Sequence, residues 1–283
     1  MVSASAKRQV VSYLVEAHGM SQRRACRLSG MARSTVRYRP HGKPDEKRLQ
    51  GAVQAYAQRY PQHGYRHITA LMRRDGYAVN HKRIERLWRA AGLQQPRRKT
   101  RKRHWDTPQG IHQRAEYLNQ VWSYDFTQAQ SERGQPVRVL AVLDEFSREC
   151  LLLLAARSFS AAQVVQVLQW LFATRAVPQH VRSDNGPEFI AQAVKDWLQA
   201  NGSHTLYIEP GHPWQNPFIE RFFGTLKSEC LHRYTFDTVM DAQCLLDQWL
   251  IEYNQHRPHS ALDYRSPTEF RLAHQAPLTL PGS

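Results

Sequence analysis

The chain has 283 residues, 41% of them hydrophobic, and carries 39 Lys+Arg against 24 Asp+Glu for a formal net charge of +15. That is enough apolar material for one ordinary core with smaller modules beside it. No apolar run approaches the roughly 18 residues of a spanning helix, so no membrane partner is expected and a reducing, cytoplasmic, bacterial setting is. The charge is segregated: residues 1–110 hold 25 Lys+Arg and 6 Asp+Glu, the remainder 14 and 18. A basic front half joined to a mildly acidic back half suggests a nucleic-acid-binding portion attached to something with chemistry of its own. Cys26, Cys150, Cys230 and Cys244 form no CxxC pair, which indicates neither a zinc site nor a disulfide framework. His63 and His67 have i, i+4 spacing without an HExxH context and read as surface or packing residues.

In chain order, residues 6–18 read as a helix with Val10, Val11, Leu14 and Val15 inward and Gly19 closing it. Ser21 then caps SQRRACRL, SGM turns the chain, and ARSTVRYR makes a third helix bearing Arg33, Arg37 and Arg39. This is a helix-turn-helix spacing. After the breaker-rich HGKPDEK a second helical unit follows, LQGAVQAYAQRY and HGYRHITALMRRDG. Gly76 ends its second helix and Asn80 caps HKRIERLWRAAG, where Ile84, Leu87, Trp88 and Ala91 point inward. Arg83 and Arg86 remain for its outer face as DNA contacts. The run RRKTRKR, with Arg97, Arg98, Arg101 and Arg103, is too self-repulsive to pack and reads as a linker or an arm along phosphates.

From residue 113 strands alternate with helices. In VWSYDFT, Trp122, Tyr124 and Phe126 face one way and Ser123, Asp125 and Thr127 the other. VRVLAVLDEFS and ECLLLLAA are two further strands in hairpin or meander order. Ser160 caps an amphipathic helix, HVRS is a short strand ended by DNG, residues 188–201 form a helix, and SHTLYIE another strand. The expected fold is α/β with a mixed sheet. EPGHPWQNP reads as a mobile loop beside the site. Asn216 caps a helix with Pro217 at its first position, on which Glu220 and Lys227, seven apart, share a face. The last helix is expected over about 238–254, and little is expected to order the tail after Glu269. The domain boundaries read as 1–42 and 43–95 for the helical units, 96–112 for the basic linker, 113–272 for the catalytic core and 273–283 for the tail.

Asp184 in RSDNGPEF and Glu220 in NPFIERFFGTLKSE, with Asp125, form a candidate carboxylate triad. Three such groups brought together would not all ionise unless a divalent cation neutralised them. Magnesium, or manganese, suits oxygen donors, and two ions about 3.5–4 Å apart would clamp an in-line displacement at phosphorus. A lone Asp or Glu is more often a solvated charge. Asp144, Glu145 and Glu188 are competing candidates, and LDEFSRE fits a turn equally well. No GxxxxGK[ST] or GxSxG is present, so neither nucleotide energy nor a serine nucleophile is indicated.

WSYDFT, VLDEFSRE, RSDNGPEF, NPFIERFFGTLKSE and YNQHRPHSALDYRSPTEF together resemble the integrase-like transposases of bacterial insertion sequences. The likeness is nearest to the downstream reading-frame product of the third insertion-sequence family, which is related to retroviral integrases. It covers roughly residues 20–270. The resemblance implies a ribonuclease-H-like catalytic core preceded by all-α helix-turn-helix units. It implies Asp125, Asp184 and Glu220 as catalytic metal ligands, with Lys227 and Asn185 at the DNA. The implied reaction is 3′-end cleavage at terminal inverted repeats and strand transfer into target DNA. It is carried out by a homo-oligomer on DNA and commonly by a fusion with the upstream frame's product. A catalytically inactive DNA-binding regulator and a purely hydrolytic nuclease are the alternative readings.

Overall fold

A computed structural model describes residues 3–38, 44–94, 114–183, 192–207 and 216–275. They divide into two compact units, Met1–Ala52 and Val53–Ser283. In the first unit, α1 (Ala4–Glu16) and α2 (Gln22–Leu28) are capped by the Ser3 and Ser21 hydroxyls, and α3 (Arg33–Arg37) follows a turn at Gly30, whose φ is +62°. Val11, Ala25 and Cys26 are buried at its centre, with Leu14, Val15 and Val36 packed around them. The helix α4 (Glu46–Arg59) runs across the boundary between the units.

In the second unit α5 (Tyr65–Arg74) packs on α6 (His81–Ala90). Gly76 stops α5 at φ +86°, where its own N–H and that of Tyr77 return to Arg73 O and Met72 O, an ending that only glycine adopts without strain. The Asn80 side chain accepts from Lys82 N and opens α6, which buries Ile84, Leu87 and Trp88.

The sheet contains β1 (Val121–Gln130), β2 (Pro136–Asp144), β3 (Cys150–Ala156), β4 (His180–Ser183) and β5 (His204–Tyr207). Its strand order is β3-β2-β1-β4-β5. The first three strands are antiparallel neighbours, as short connections allow, whereas β4 pairs parallel with β1 and β5 parallel with β4. Parallel pairing needs crossovers, and α7 (Ala161–Thr174) makes the first, opened by a Ser160–Gln163 capping box. The helix α8 (Gln192–Ala200) lies between β4 and β5 in sequence and packs on α7. Trp122, Tyr124, Leu140, Val142 and Val181 pack with Val164, Leu168, Leu171, Val194 and Leu198 on this side of the sheet.

The opposite face is covered by α9 (Pro217–Leu226) and α10 (Val239–Ile251). Val137, Val139, Ala141, Leu143 and Leu153 meet Ile219, Phe222, Phe223, Leu226, Leu246 and Trp249 there. Each fully buried Val, Leu, Ile or Phe among them stabilises by about 1.5–3 kcal/mol. The helices α9 and α10 each widen into a π turn, Lys227–Leu231 and Glu252–His256.

Two sequence expectations are corrected here. Val10, expected to point inward on α1, is 47% exposed, because the buried side of that helix is centred on Val11. The segment after Glu269 is ordered through His274 as part of α11 (Pro267–His274), which starts with Pro267 and a Ser266–Glu269 capping box. Arg271 of α11 reaches Glu149 at 2.7 Å, and His274 stacks on Phe270. Among the described residues no helix is long and apolar enough to cross a membrane.

Candidate active site

Asp125 lies on the central strand, directly opposite Ala141 of β2. Cross-strand partners share a face, and Ala141 is packed with Ile219, Phe222 and Phe223. Asp125 therefore leaves the sheet on the side covered by α9, while Trp122, Tyr124 and Phe126 enter the α7–α8 core, as the alternation predicts. It is half-buried, and its Oδ1 accepts a hydrogen bond from Phe126 N at 2.6 Å.

The helix α9 carries Glu220 in its first turn, exposed, with desolvation raising its carboxyl above the ordinary glutamate value. Lys227 follows the last α-helical residue with helical angles, φ −61° and ψ −48°. Seven residues on from Glu220, it stays on the same side of the helix. Asn216 occupies the cap position, but its side chain makes no capping bond, unlike the expectation. It is 2% exposed, and both its amide atoms lack a partner among the described residues.

The competing carboxylates Asp144 and Glu145 are buried builders of the turn between β2 and β3. Asp144 Oδ2 accepts from Asn119 N at 2.8 Å, and its Oδ1 accepts from both Ser147 N and Ser147 Oγ at 2.7 Å. Glu145 is paired with Arg182 of β4 at 2.8 Å, with side chains 0% and 4% exposed, and also accepts from the Ser123 hydroxyl. Glu149, which sequence reasoning passed over, joins Arg271 and, at 3.7 Å, Arg175. Burial pushes all three carboxyls above their usual values, with hydrogen bonds opposing it at Asp144 and arginines at Glu145 and Glu149. The spacing of LDEFSRE suggested the turn; the arginines that neutralise it are distant in sequence and could not be paired with it from spacing.

Other candidates are dispersed. Arg33 and Arg37 are exposed on α3, where Arg37 Nε donates to Gln22 Oε1 at 2.9 Å; Arg86 is exposed and Arg83 half-buried on α6. His63 and His67 pack edge to face, and His67 against Tyr264 in turn. No group of three metal-ligating side chains occurs among the described residues. Asp184, Asn185, Gly186 and Glu188, the arm with Arg97, Arg98, Arg101 and Arg103, and the loop 209–215 lie outside the described residues; β4 is described to Ser183.

The sequence patterns of known families match in three places: two described as integrase core domain, over residues 116–213 and 201–267, and an HTH-like domain over 44–101. The 31.7 kDa protein of insertion element IS407 from Burkholderia multivorans is 37% identical over 281 residues, 96% of this chain and 98% of that protein. The chain belongs to the integrase-like transposases of bacterial insertion sequences. It is also similar to the transposase for insertion sequence element IS904 from Lactococcus lactis, 27% identical over 72% of this chain and 85% of that one. A chain of the simian T-cell lymphotropic virus intasome, solved with PP2A regulatory subunit B56 gamma, shares the fold at TM-score 0.53 and 17% identity. It covers 82% of this chain and 77% of its own. The five-stranded mixed sheet is thus the ribonuclease-H-like core of an integrase-type transposase, preceded by helix-turn-helix-like helices.

Proposed function

We propose that the chain binds the terminal inverted repeats of its element, cleaves a phosphodiester at each end, and joins the freed 3′-hydroxyl to target DNA, with Asp125, Asp184 and Glu220 as the catalytic carboxylates. The observation that carries the reading is the placement of Asp125 on the central strand, facing the helix that bears Glu220. The parallel register of β1 and β4 supports Asp184 as the third member. Ser123 lies opposite Arg182, and Asp184 directly follows Ser183, the last residue of β4, in sequence.

The donor set fits a hard divalent cation. It consists of carboxylate oxygens, and partial burial of Glu220 raises its carboxyl above the ordinary value, as expected of a group that gains from a cation beside it. Asp125, Asp184 and Glu220 would hold the metal, magnesium or manganese, in a pair of ions that supplies neutralisation for charge developing on phosphodiester oxygens. In cleavage, water attacks phosphorus, the bond to the 3′-oxygen breaks, and that oxygen takes a proton. In joining, the 3′-hydroxyl loses its proton, its oxygen bonds to phosphorus of the target strand, the bond from that phosphorus to the target's own 3′-oxygen breaks, and the released oxygen takes a proton. One bond is exchanged for another of the same kind, so no nucleotide triphosphate is consumed. Lys227, on the side of α9 that carries Glu220, and Asn185 contact the bound strand. The exposed arginines of α3 and α6 and the arm from Arg97 to Arg103 hold flanking phosphates. The working form is a homo-oligomer on DNA, with the upstream-frame product as a fusion partner.

The test is nicking and joining of a labelled element-end duplex, with and without magnesium, by wild type, Asp125→Asn, Asp184→Asn and Glu220→Gln. Each variant is expected to lose both reactions while still binding DNA. Joining by Asp184→Asn at the wild-type rate removes the assignment. Hydrolysis with no joined strand under any metal would make the chain a nuclease, and inert wild type that still binds DNA would make it a regulator.

A further inference from the structure

A second site lies away from the carboxylates. A cavity of about 420 Å³ opens between α5, the start of α6 and the segment after the second π turn, lined by Arg66, Thr69, Arg73, Arg74, His81 and Tyr264. Among the described residues, Asp263 is the only acidic one of its lining. Arg74 forms the floor of the connection. Its Nη1 donates to His256 O at 2.7 Å, and its Nη2 to Tyr264 O at 3.2 Å and to Glu269 at 2.5 Å. These bonds bind α5 to the chain that follows the catalytic helices and hold the two walls together. Tyr264, with φ +62°, packs its ring on His67 of α5.

The other two guanidinium groups are positioned yet uncommitted to any acid. Arg66 Nε donates to the Tyr65 hydroxyl at 3.2 Å and the side chain also meets Tyr264. Arg73 Nε donates to Val79 O at 2.9 Å. Neither has a carboxylate partner among the described residues. Both are exposed, as is His81. Guanidinium groups held by neutral acceptors keep their full charge and lose little further freedom on meeting an anion. Their forked donors match phosphate oxygens. Cations spread along a cleft, rather than converging on one point, suit a polymer of phosphates.

We propose that this cleft grips the phosphodiester backbone of the element-end duplex. α5, α6 and the chain following the catalytic helices then hold one stretch of DNA together. This rests on the reading that the chain acts on element-end DNA. Arg74 fixes the walls, Arg66, Arg73 and His81 meet phosphates, and Asp263 opposes them.

The experiment is fluorescence anisotropy of the full chain with a labelled element-end duplex over a salt series, in EDTA so that no strand is cut. Arg66→Ala with Arg73→Ala should flatten the dependence of log Kd on log salt by about 1.8, roughly 0.9 for each lost phosphate contact, and weaken random duplex equally. Arg66→Lys with Arg73→Lys should keep the slope, and Asp263→Asn should tighten binding several-fold at low salt. An unchanged slope in the alanine pair, equal loss in the lysine pair, or no effect of Asp263→Asn overturns the proposal. If the slope is unchanged while Asp125-dependent cleavage persists, only the cleft falls. If wild type binds no DNA, the cleft and the functional reading fall together.

Discussion

Removing Arg182 tests a buried ion pair of the core. Its guanidinium and the Glu145 carboxylate are 4% and 0% exposed, 2.8 Å apart, and tie β4 to the turn after β2. In Arg182→Met the carboxylate keeps the Ser123 hydroxyl and the weaker pull of Arg148 but loses its hydrogen-bonded counter-charge. Breaking one member of a buried pair costs about 3–5 kcal/mol, a large share of the roughly 5–15 kcal/mol that holds a domain together. The urea midpoint should fall by about 1 M or more. The loss should also depend on pH. Burial already holds Glu145 above its ordinary value, with Arg182 opposing. A carboxyl whose folded pKa exceeds its unfolded pKa favours folding fully below the unfolded value, and that contribution is lost as pH rises through the folded one. Without Arg182 the folded pKa climbs further, so the penalty should be smaller near about pH 5 than near about pH 8. Adding Glu145→Gln should recover most of the loss at the higher pH. A penalty below about 1 kcal/mol, or one equal at both pH values, would refute the argument that an uncompensated carboxylate is its source.

Three further outcomes are expected. Burial lowers His63 and His67 to about 4 and His259 to about 2, with Arg257 acting the same way. Stability from these groups is complete above the unfolded value of roughly 6.5 and is lost as pH falls from there toward about 4. Thermal midpoints that stay level over that window would contradict this. Ser266→Ala removes the cap in which Ser266 Oγ accepts from Glu269 N at 3.2 Å. It should cost about 1 kcal/mol and speed amide exchange in α11, whereas unaltered exchange there would mean that Arg271 alone holds the helix. Arg74→Ala should destabilise by about 2 kcal/mol, from charged hydrogen bonds in a partly exposed setting. Arg74→Lys should not rescue it, because one ammonium cannot serve three acceptors in fork geometry; full rescue in urea titrations would show that only the charge matters.

Much of this protein is local, and the local part is legible in its sequence. The alternation of VWSYDFT assigns Asp125 to the face opposite Trp122 and Tyr124, because the side-chain period of a strand depends on nothing beyond the strand. Ser21, Asn80 and Ser160 announce helix starts for the same reason: a cap is made within three residues. The Ser266–Pro267–Glu269 signature was equally available, and α11 answers to it. What only the tertiary structure decided is which helix lies over which face. The register of β1 with β2 sets Asp125 beside Ala141, and the packing of Ala141 on Ile219 and Phe222 brings that face under Glu220's helix. The same holds for the carboxylates of LDEFSRE. Asp144, Glu145 and Glu149 look alike in sequence, yet Glu145 is neutralised by an arginine 37 residues on and Glu149 by one in α11. Burial of a charge is a property of its distant partner, and a linear pattern carries no record of that pairing until the chain has folded.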